Sequence, residues 1–253
     1  MRYAVAVPKI TWNNTRANLD KILSMMDEAS IKGADILLFP EAVLTGLNIC
    51  DDYDIDRQQA YSLESPPIRA IIDNAKKCKM WTTFGFLELS DTTIFDSALL
   101  VDENGKIVLH QRRMSPGWRA KDAKPLEYGS GDGLSTAITP WGKTAILICG
   151  DLFETAFPQA VEAKLDLLLF PFARCFSPGV TEPQKQWDNV EWLAYSNQIT
   201  QIGALTLMSN YVAPRELSGG GFGGGFIVDR NGEIIKAKAL FEEGLVIWEQ
   251  STG

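Results

Sequence analysis

The 253-residue sequence predicts a single α/β domain, spanning residues 1–253, with one mixed sheet or two stacked sheets. Short apolar segments typical of buried strands alternate with helix-forming segments along the chain. Two turns of the Asp-x-Asn-Gly type each join a pair of strand segments, which is the pattern of a β-hairpin. No linker or low-complexity segment divides the chain, so we expect one folding unit.

The first half of the chain alternates strands with two helices. The helix at Thr15–Lys32 has apolar residues spaced at i, i+3, i+4 and i+7, and Gly33 follows it where a left-handed cap is favoured. Asp35–Phe39 is almost entirely apolar, as expected for a strand covered on both faces. The predicted elements are strands at Tyr3–Val7, Asp35–Phe39, Trp81–Leu87, Ile94–Val101 and Lys106–Gln111 and helices at Thr15–Lys32 and Pro66–Lys79.

The second half repeats this alternation after a segment without periodicity. Residues 112–133 predict a long loop, and such loops in compact domains often carry function. The stretch Gly219–Gly225 precedes a predicted strand and is too short for a tether. The predicted elements are strands at Lys143–Cys149, Leu165–Phe170, Ile202–Met208, Phe226–Val228 and Glu233–Ala237 and helices at Glu154–Lys164 and Glu182–Thr200.

The composition restricts the binding partners and the cellular compartment that we expect for the protein. The net charge of −8 disfavours nucleic acid, which requires a basic footprint. The longest apolar segments, such as Leu165–Ala173, have about ten residues, whereas about 20 are needed to cross a bilayer, so we expect no membrane partner. The first residues lack the pattern of a signal peptide, and the four cysteines are irregularly spaced. We therefore expect free thiols and a cytoplasmic location.

Histidine is the most informative count, because the chain has a single one, His110. A metal site built on several histidines is excluded, and we expect neither a metal nor another cofactor. His110 lies at a predicted strand end, where a solvated or packed histidine is the ordinary interpretation. If the chain is an enzyme, its proton transfers are expected to use carboxylates, lysine or tyrosine.

Reactive side chains lie at or near the predicted ends of strands in three parts of the sequence. Glu41 directly follows an apolar strand and a proline, and Cys149 ends another apolar strand with Gly150 behind it. Backbone N–H groups near Gly150 are expected to face whatever the sulfur attacks. The third place is the loop that opens with Arg112 and Arg113. Each also has a plainer interpretation: a buried cysteine as a small hydrophobe, a capping or ion-paired glutamate, and a solvated arginine.

These motifs together resemble the nitrilase superfamily of carbon–nitrogen hydrolases over essentially the whole chain. The resemblance rests on FPE at residues 39–41, GKIVLHQRR at 105–113 and ICGD at 148–151. It implies a four-layer α-β-β-α sandwich of the nitrilase type and a triad of Glu, Lys and Cys. By motif, Glu41 matches the general base and Cys149 the nucleophile, while Arg113 stands where lysine is expected. The second glutamate of many members has no convincing match, because Glu127 and Asp122 are the nearest acids.

The resemblance also implies a reaction. We expect hydrolysis of a non-peptide C–N bond, in a small-molecule amide or carbamoyl compound more than in a nitrile, through a thioester on Cys149. The alternative is a catalytically impaired protein of the same fold that binds or acts as a scaffold. Family members usually pair through the helix after the nucleophile, so a homodimer or a higher homo-oligomer is expected.

Three further side chains are expected to border the pocket: Trp118, Arg119 and Arg174. Together with Arg113, the two arginines indicate a substrate carboxylate, because guanidinium binds that group bidentately. A surface salt bridge for each arginine is an equally good interpretation.

Overall fold

The structure, a computed structural model, describes residues 1–154, 156–177, 179–213 and 221–250. The strands are β1 (Arg2–Val7), β2 (Ile36–Leu38), β3 (Trp81–Ser90), β4 (Thr93–Val101), β5 (Ile107–Arg112), β6 (Thr136–Thr139), β7 (Gly142–Ile146), β8 (Leu167–Pro171), β9 (Leu205–Ser209), β10 (Val212–Ala213), β11 (Gly221–Val228), β12 (Ile234–Leu240) and β13 (Gly244–Glu249). The α-helices are α1 (Thr15–Ile31), α2 (Tyr53–Asp56), α3 (Pro66–Cys78), α4 (Ala156–Ala163), α5 (Pro183–Gln186) and α6 (Trp192–Ile202). Short 3₁₀ turns cover Arg57–Gln59 and Cys149–Leu152, and a π-helical turn covers Trp187–Glu191.

The strands form two sheets with the same plan. The first has the order β13-β1-β2-β3-β4-β5 and the second the order β10-β11-β9-β8-β7-β6, with β12 also paired to β11. Three adjacent strands are parallel in each sheet, β1-β2-β3 in the first and β7-β8-β9 in the second. Antiparallel strands flank each parallel centre.

Side-chain alternation stacks these sheets face to face. In β2, Ile36 and Leu38 belong to the core that also contains Leu167 and Leu169 of the second sheet, whereas Leu37 faces the other way. Because both faces of β2 are covered, its sequence is continuously apolar. Helices α1 and α3 pack on the outer face of the first sheet, and α4 and α6 pack on that of the second. The result is a four-layer α-β-β-α sandwich, which confirms the predicted fold class.

The parallel strands bring reactive residues to one end of the sandwich. Glu41 lies just beyond β2 in the first sheet, while Cys149 and Arg174 lie just beyond β7 and β8 in the second. Arg113 directly follows β5. The carboxyl ends of parallel strands share one edge, so groups from the two sheets meet at the mouth between them.

Several predicted elements differ from the observed ones. The predicted helix at Glu182–Thr200 is divided into α5, the π-helical turn and α6, and the turn buries Trp187 against the aromatic rings of Tyr195 and Phe226. The predicted strand at Lys143–Cys149 ends at Ile146, because Cys149 has left-handed φ and opens a 3₁₀ turn. Strands β6, β10 and β13 were not predicted. In the predicted helix at Glu154–Lys164, Thr155 lies outside the described residues.

Strand β11 begins well before its predicted start at Phe226. Gly219 and Gly220 lie outside the described residues, but the glycines from Gly221 onward belong to the strand. A Cβ on Gly225 would stand 2.7 Å from the side chain of Val7, on the facing sheet. Glycine is therefore used here because the two sheets approach too closely for a side chain.

Within the described residues, no helix has the length and apolarity needed to cross a membrane.

Candidate active site

Glu41 is held by the turn that follows β2. Gly85 of β3 donates its N–H to the carbonyl of Pro40 at 3.0 Å and accepts the N–H of Val43 at the same distance. A Cβ on Gly85 would stand 2.6 Å from the Cα of Glu41, so the turn lies directly against the strand. The carboxyl group of Glu41 consequently lies inside the sandwich, and Glu41 is fully buried.

Arg113 meets this carboxyl group from β5. Its Nη1 donates to Oε1 of Glu41 at 2.7 Å, and its Nε donates to Oγ of Ser115 at 2.7 Å. The same Nη1 lies 3.4 Å from Oδ2 of Asp96, which is on β4. Arg113 is only 4% exposed, so its guanidinium has exchanged water for these three oxygen partners.

The thiol of Cys149 faces this arrangement from the second sheet. Cys149 has φ of 47°, a conformation that is uncommon outside glycine and that frequently occurs at functional sites. A Cβ on the next residue, Gly150, would stand 2.6 Å from Oγ of Ser115 and 2.7 Å from Nη2 of Arg113. Only glycine at position 150 allows the sulfur-bearing turn to come this close to the arginine.

Asp151 ties the two sheets together at the site. Its Oδ1 accepts the N–H groups of Met114 at 3.0 Å and Ser115 at 2.7 Å, and its Oδ2 accepts that of Ile148 at 3.4 Å. Asp151 thereby fixes the segment after β5 to the turn that carries Cys149. Asp151 is the last residue of the ICGD motif, and this motif is the sequence signal for its role.

A cavity of about 250 Å³ opens onto Cys149. It is lined by Leu47, Arg113, Gly117, Cys149, Gly150, Phe153, Ala173, Arg174, Cys175 and Tyr195. Four of the residues singled out from the sequence line it: Arg113, Cys149, Gly150 and Arg174. Arg174 is ion-paired to Glu191 at 2.8 Å, so its charge is partly offset.

The other sequence candidates, including Glu41, are not among the residues that line the cavity. Trp118 is buried in a separate cluster beside Tyr128, and Arg119 donates to Oγ of Ser130. The acid Glu127 is ion-paired to Lys124. His110 pairs with the buried Glu88, in agreement with the packed-histidine interpretation.

Burial shapes the acid–base properties of the site. Burial raises the pKa of Glu41 above its ordinary value of 4.5, and negative charge on Cys149 acts in the same direction, while Arg113 and a hydrogen bond from Asp96 oppose the rise. For Arg113, burial alone would lower the pKa, but the charges of Cys149, Glu41 and Asp96 outweigh it and the pKa is raised. A permanent cation and a carboxyl group of unusually high basicity therefore stand beside one thiol.

Fold and site together define an α-β-β-α sandwich protein with a cysteine site at the mouth between its sheets. A family model for carbon–nitrogen hydrolases matches residues 2–251, so the chain belongs to the carbon–nitrogen hydrolase family. This match confirms the resemblance to the nitrilase superfamily.

The chain is similar to several characterised relatives. It is 25% identical to a bromoxynil-specific nitrilase of Klebsiella pneumoniae subsp. ozaenae over 268 residues, covering 94% of this chain and 73% of the relative. It is 31% identical to a formamidase of Pseudomonas syringae pv. tomato over 158 residues, covering 60% and 44%. An aliphatic nitrilase of Sinorhizobium fredii is 25% identical over 60% of this chain, and the match spans only 53% of that relative.

Solved structures extend the likeness to the whole fold. An amidase from Nesterenkonia sp. AN1, a mutant with acrylamide joined by Michael addition to its active site cysteine, matches with a TM-score of 0.81 at 16% identity. The match covers 99% of this chain and 93% of the amidase. A second mutant of that amidase, in complex with butyramide, matches with a TM-score of 0.78 at 17% identity, covering 98% and 89%. At these identities, the likeness shows the shared fold.

Proposed function

We propose that the chain is a hydrolase of non-peptide C–N bonds in small amides or carbamoyl compounds. Cys149 is the nucleophile, Glu41 the general base, and Arg113 a fixed cation where the family has lysine. The observation that supports this most is the buried 2.7 Å contact between Glu41 and Arg113, since Arg113 lines the cavity together with Cys149.

The first half of the reaction forms a thioester. Sγ of Cys149 attacks the amide carbon while Glu41 accepts the thiol proton. The oxygen gains negative charge, and the proposed donors that stabilise it are Nη2 of Arg113, which lies close to Gly150, and the backbone N–H of Gly150. When the tetrahedral intermediate collapses, Glu41 returns the proton to the nitrogen and the C–N bond breaks, releasing ammonia or an amine.

The second half regenerates the enzyme. Glu41 takes a proton from a water molecule, whose oxygen attacks the thioester carbon. The C–S bond then breaks, the acid product leaves, and the proton on Glu41 returns to the sulfur. A carboxyl group of ordinary pKa would be a weak base toward a thiol, so the raised pKa of Glu41 suits both proton transfers.

Arg113 can perform only part of the catalytic role of a lysine. Its guanidinium does not readily release a proton, so it acts through charge and hydrogen bonds and not as a proton shuttle. Two directed contacts, to Glu41 and Ser115, hold its plane and leave Nη2 near Gly150. These contacts support a stationary cation that requires no proton transfer.

The cavity supports a small substrate without net charge. Its volume of about 250 Å³ is below the usual range for drug-sized ligands, and Leu47, Phe153 and Tyr195 supply apolar or aromatic walls. Glu191 partly offsets Arg174, which weakens the case for a substrate carboxylate. Formamidase among the relatives and butyramide in a structural neighbour are consistent with small amides.

A catalytically impaired binding protein is the second candidate. The observation that favours it is that Arg113 holds Oε1 of Glu41 directly and does not readily release a proton. The two candidates predict opposite results in an assay of turnover.

We expect the purified protein to release ammonia from a panel of small amides, and Cys149→Ala to lower this rate by at least about 10⁴-fold because the thioester cannot form. Glu41→Gln is expected to lower it by about 10²–10⁴-fold through loss of the base. Pairing each neutral amide with a carboxylate-bearing analogue should give comparable rates, since Arg174 is offset.

Cys78→Ala is the matched control, because Cys78 is a partly buried thiol on α3 far from the cavity lining. Its activity should equal that of the wild type. Turnover that survives in Cys149→Ala would contradict the proposed nucleophile, and absence of turnover in the wild type across amides, carbamoyl compounds and nitriles would favour the binding protein.

Substitutions of Arg113 distinguish the effect of its positive charge from the effect of its side-chain shape. Arg113→Gln should lower kcat/KM by about 10²–10³-fold, the usual effect of losing one oxyanion donor. Because Arg113 opposes the rise in the pKa of Glu41, its loss should also move the acidic limb of the pH–rate profile to higher pH. Arg113→Lys should retain more activity than Arg113→Gln. Equal activity in both variants, measured at several pH values, would show that the positive charge has no role.

We also propose that the protein forms a homodimer through the helical layer that follows Cys149. Phe153, Val190 and Leu193 are 40%, 58% and 63% exposed on this side, and exposed apolar side chains grouped in one layer are suited to a protein–protein contact. Light scattering should give the mass of a dimer for the wild type and of a monomer for Leu193→Glu. A monomeric wild type at micromolar concentration would overturn this proposal.

A further inference from the structure

Asp96 interrupts an apolar row on β4. The even-numbered residues of this strand near the site, Ile94, Ala98 and Leu100, are all fully buried, and Ala98 and Leu100 face the second sheet. Asp96 shares their side of the strand and is 1% exposed. A carboxyl group at such a position is costly unless it is paired or protonated.

Asp96 accepts a weaker contact than either neighbouring acid. Its Oδ2 lies 3.4 Å from Nη1 of Arg113, and neither its Oδ1 nor Oε2 of Glu41 has a hydrogen-bond partner among the described residues. Glu41 receives a much shorter bond from the same Nη1, at 2.7 Å. Asp151 receives three backbone N–H groups. Asp96 is therefore the carboxyl group whose negative charge is least stabilised.

Charge balance points to the same residue. In the described part of the chain, Arg113 is the one cation that forms an ion pair with Glu41 or Asp96. If both carboxyl groups were ionised, this buried trio would carry a net charge of −1, and burial of an unbalanced charge is strongly unfavourable. One proton shared by the two carboxyl groups makes the trio neutral.

We infer that Asp96 keeps its proton at neutral pH and donates it in a hydrogen bond to Glu41, which makes Asp96 a positioning residue for the general base. The role rests on the proposed function of Glu41. The groups that face Asp96 are Glu41 after β2, Arg113 after β5 and Asp151 in the turn after β7. Burial raises the pKa of Asp96 well above its usual value, and the neighbouring Glu41 raises it further.

A protonated Asp96 orients Glu41 without changing the net charge of the site, which Arg113 alone does not do. Arg113 donates to Oε1 of Glu41, and a protonated Asp96 gives the same carboxylate a second donor without adding charge. Glu41 can then exchange a proton with Cys149 while its orientation stays fixed. An asparagine at position 96 would keep the shape, the acceptor for Arg113 and the donor for Glu41, but would not titrate.

The proton state is tested by the melting temperature of Asp96→Asn between about pH 4 and about pH 8. An aspartate ionises near pH 3.9 once unfolded, so a native state that retains the proton loses stability as pH rises above that value. Asparagine removes this loss. We expect Asp96→Asn to melt close to the wild type at pH 4 and a few degrees above it at pH 8. A variant that melts below the wild type at pH 8, or a difference that does not depend on pH, would overturn the inference.

The positioning role is tested by turnover of the same variant. Asp96→Asn should keep kcat/KM within about fivefold of the wild type, whereas Asp96→Ala, which has no donor, should lose about 10–100-fold, mainly in kcat. Equal losses in both variants would overturn the role. Because melting requires no substrate, the proton state is decided even if the wild type hydrolyses no amide, an outcome that would count against the proposed function alone.

Discussion

The buried ion pair between Glu41 and Arg113 is the interaction on which the rest of the site depends. Removing both groups from water costs several kcal/mol per ion, and only short, directed contacts offset that cost. Glu41 accepts from Nη1 and Ser115 accepts from Nε, both at 2.7 Å. Two glycines leave the space that this contact requires. Gly85 has no side chain that would collide with the turn carrying Glu41, and Gly150 has none that would collide with the guanidinium beside Cys149.

The two sheets contribute different functional groups to this end of the sandwich. The first sheet supplies three buried ionisable groups, Glu41, Asp96 and Arg113, and the second supplies the thiol on a strained turn. Asp151 joins them, because it belongs to the turn after β7 and accepts N–H groups from the segment after β5. A small movement between the sheets would therefore separate the base from the nucleophile, which links packing of the inter-sheet core to the chemistry at its edge.

The strand ends that carry Glu41, Arg113 and Cys149 were predictable, since each follows an apolar run or a hairpin strand with a marked end. Contacts set by tertiary packing were not. The predicted hairpin brings Asp96 of β4 opposite Arg113, but no local pattern shows that Arg113 also binds the carboxyl group of Glu41 there. Trp118 and Arg119 were placed at the pocket by nearness to Arg113 along the chain, yet Gly117 lines it and they do not. Strand β13 pairs with β1 across nearly the whole chain, a partnership that local patterns do not reveal.

A double-mutant cycle between Glu41 and Arg113, followed by urea unfolding, tests the central claim most directly. Glu41→Gln, Arg113→Gln and the double variant are compared with the wild type at neutral pH. If the pair organises the site, the double variant should be less destabilised than the sum of the single variants, with a coupling energy on the order of 1–3 kcal/mol. Additive effects, within about 0.5 kcal/mol, would mean that the two groups are neighbours without a shared contribution and would contradict the account.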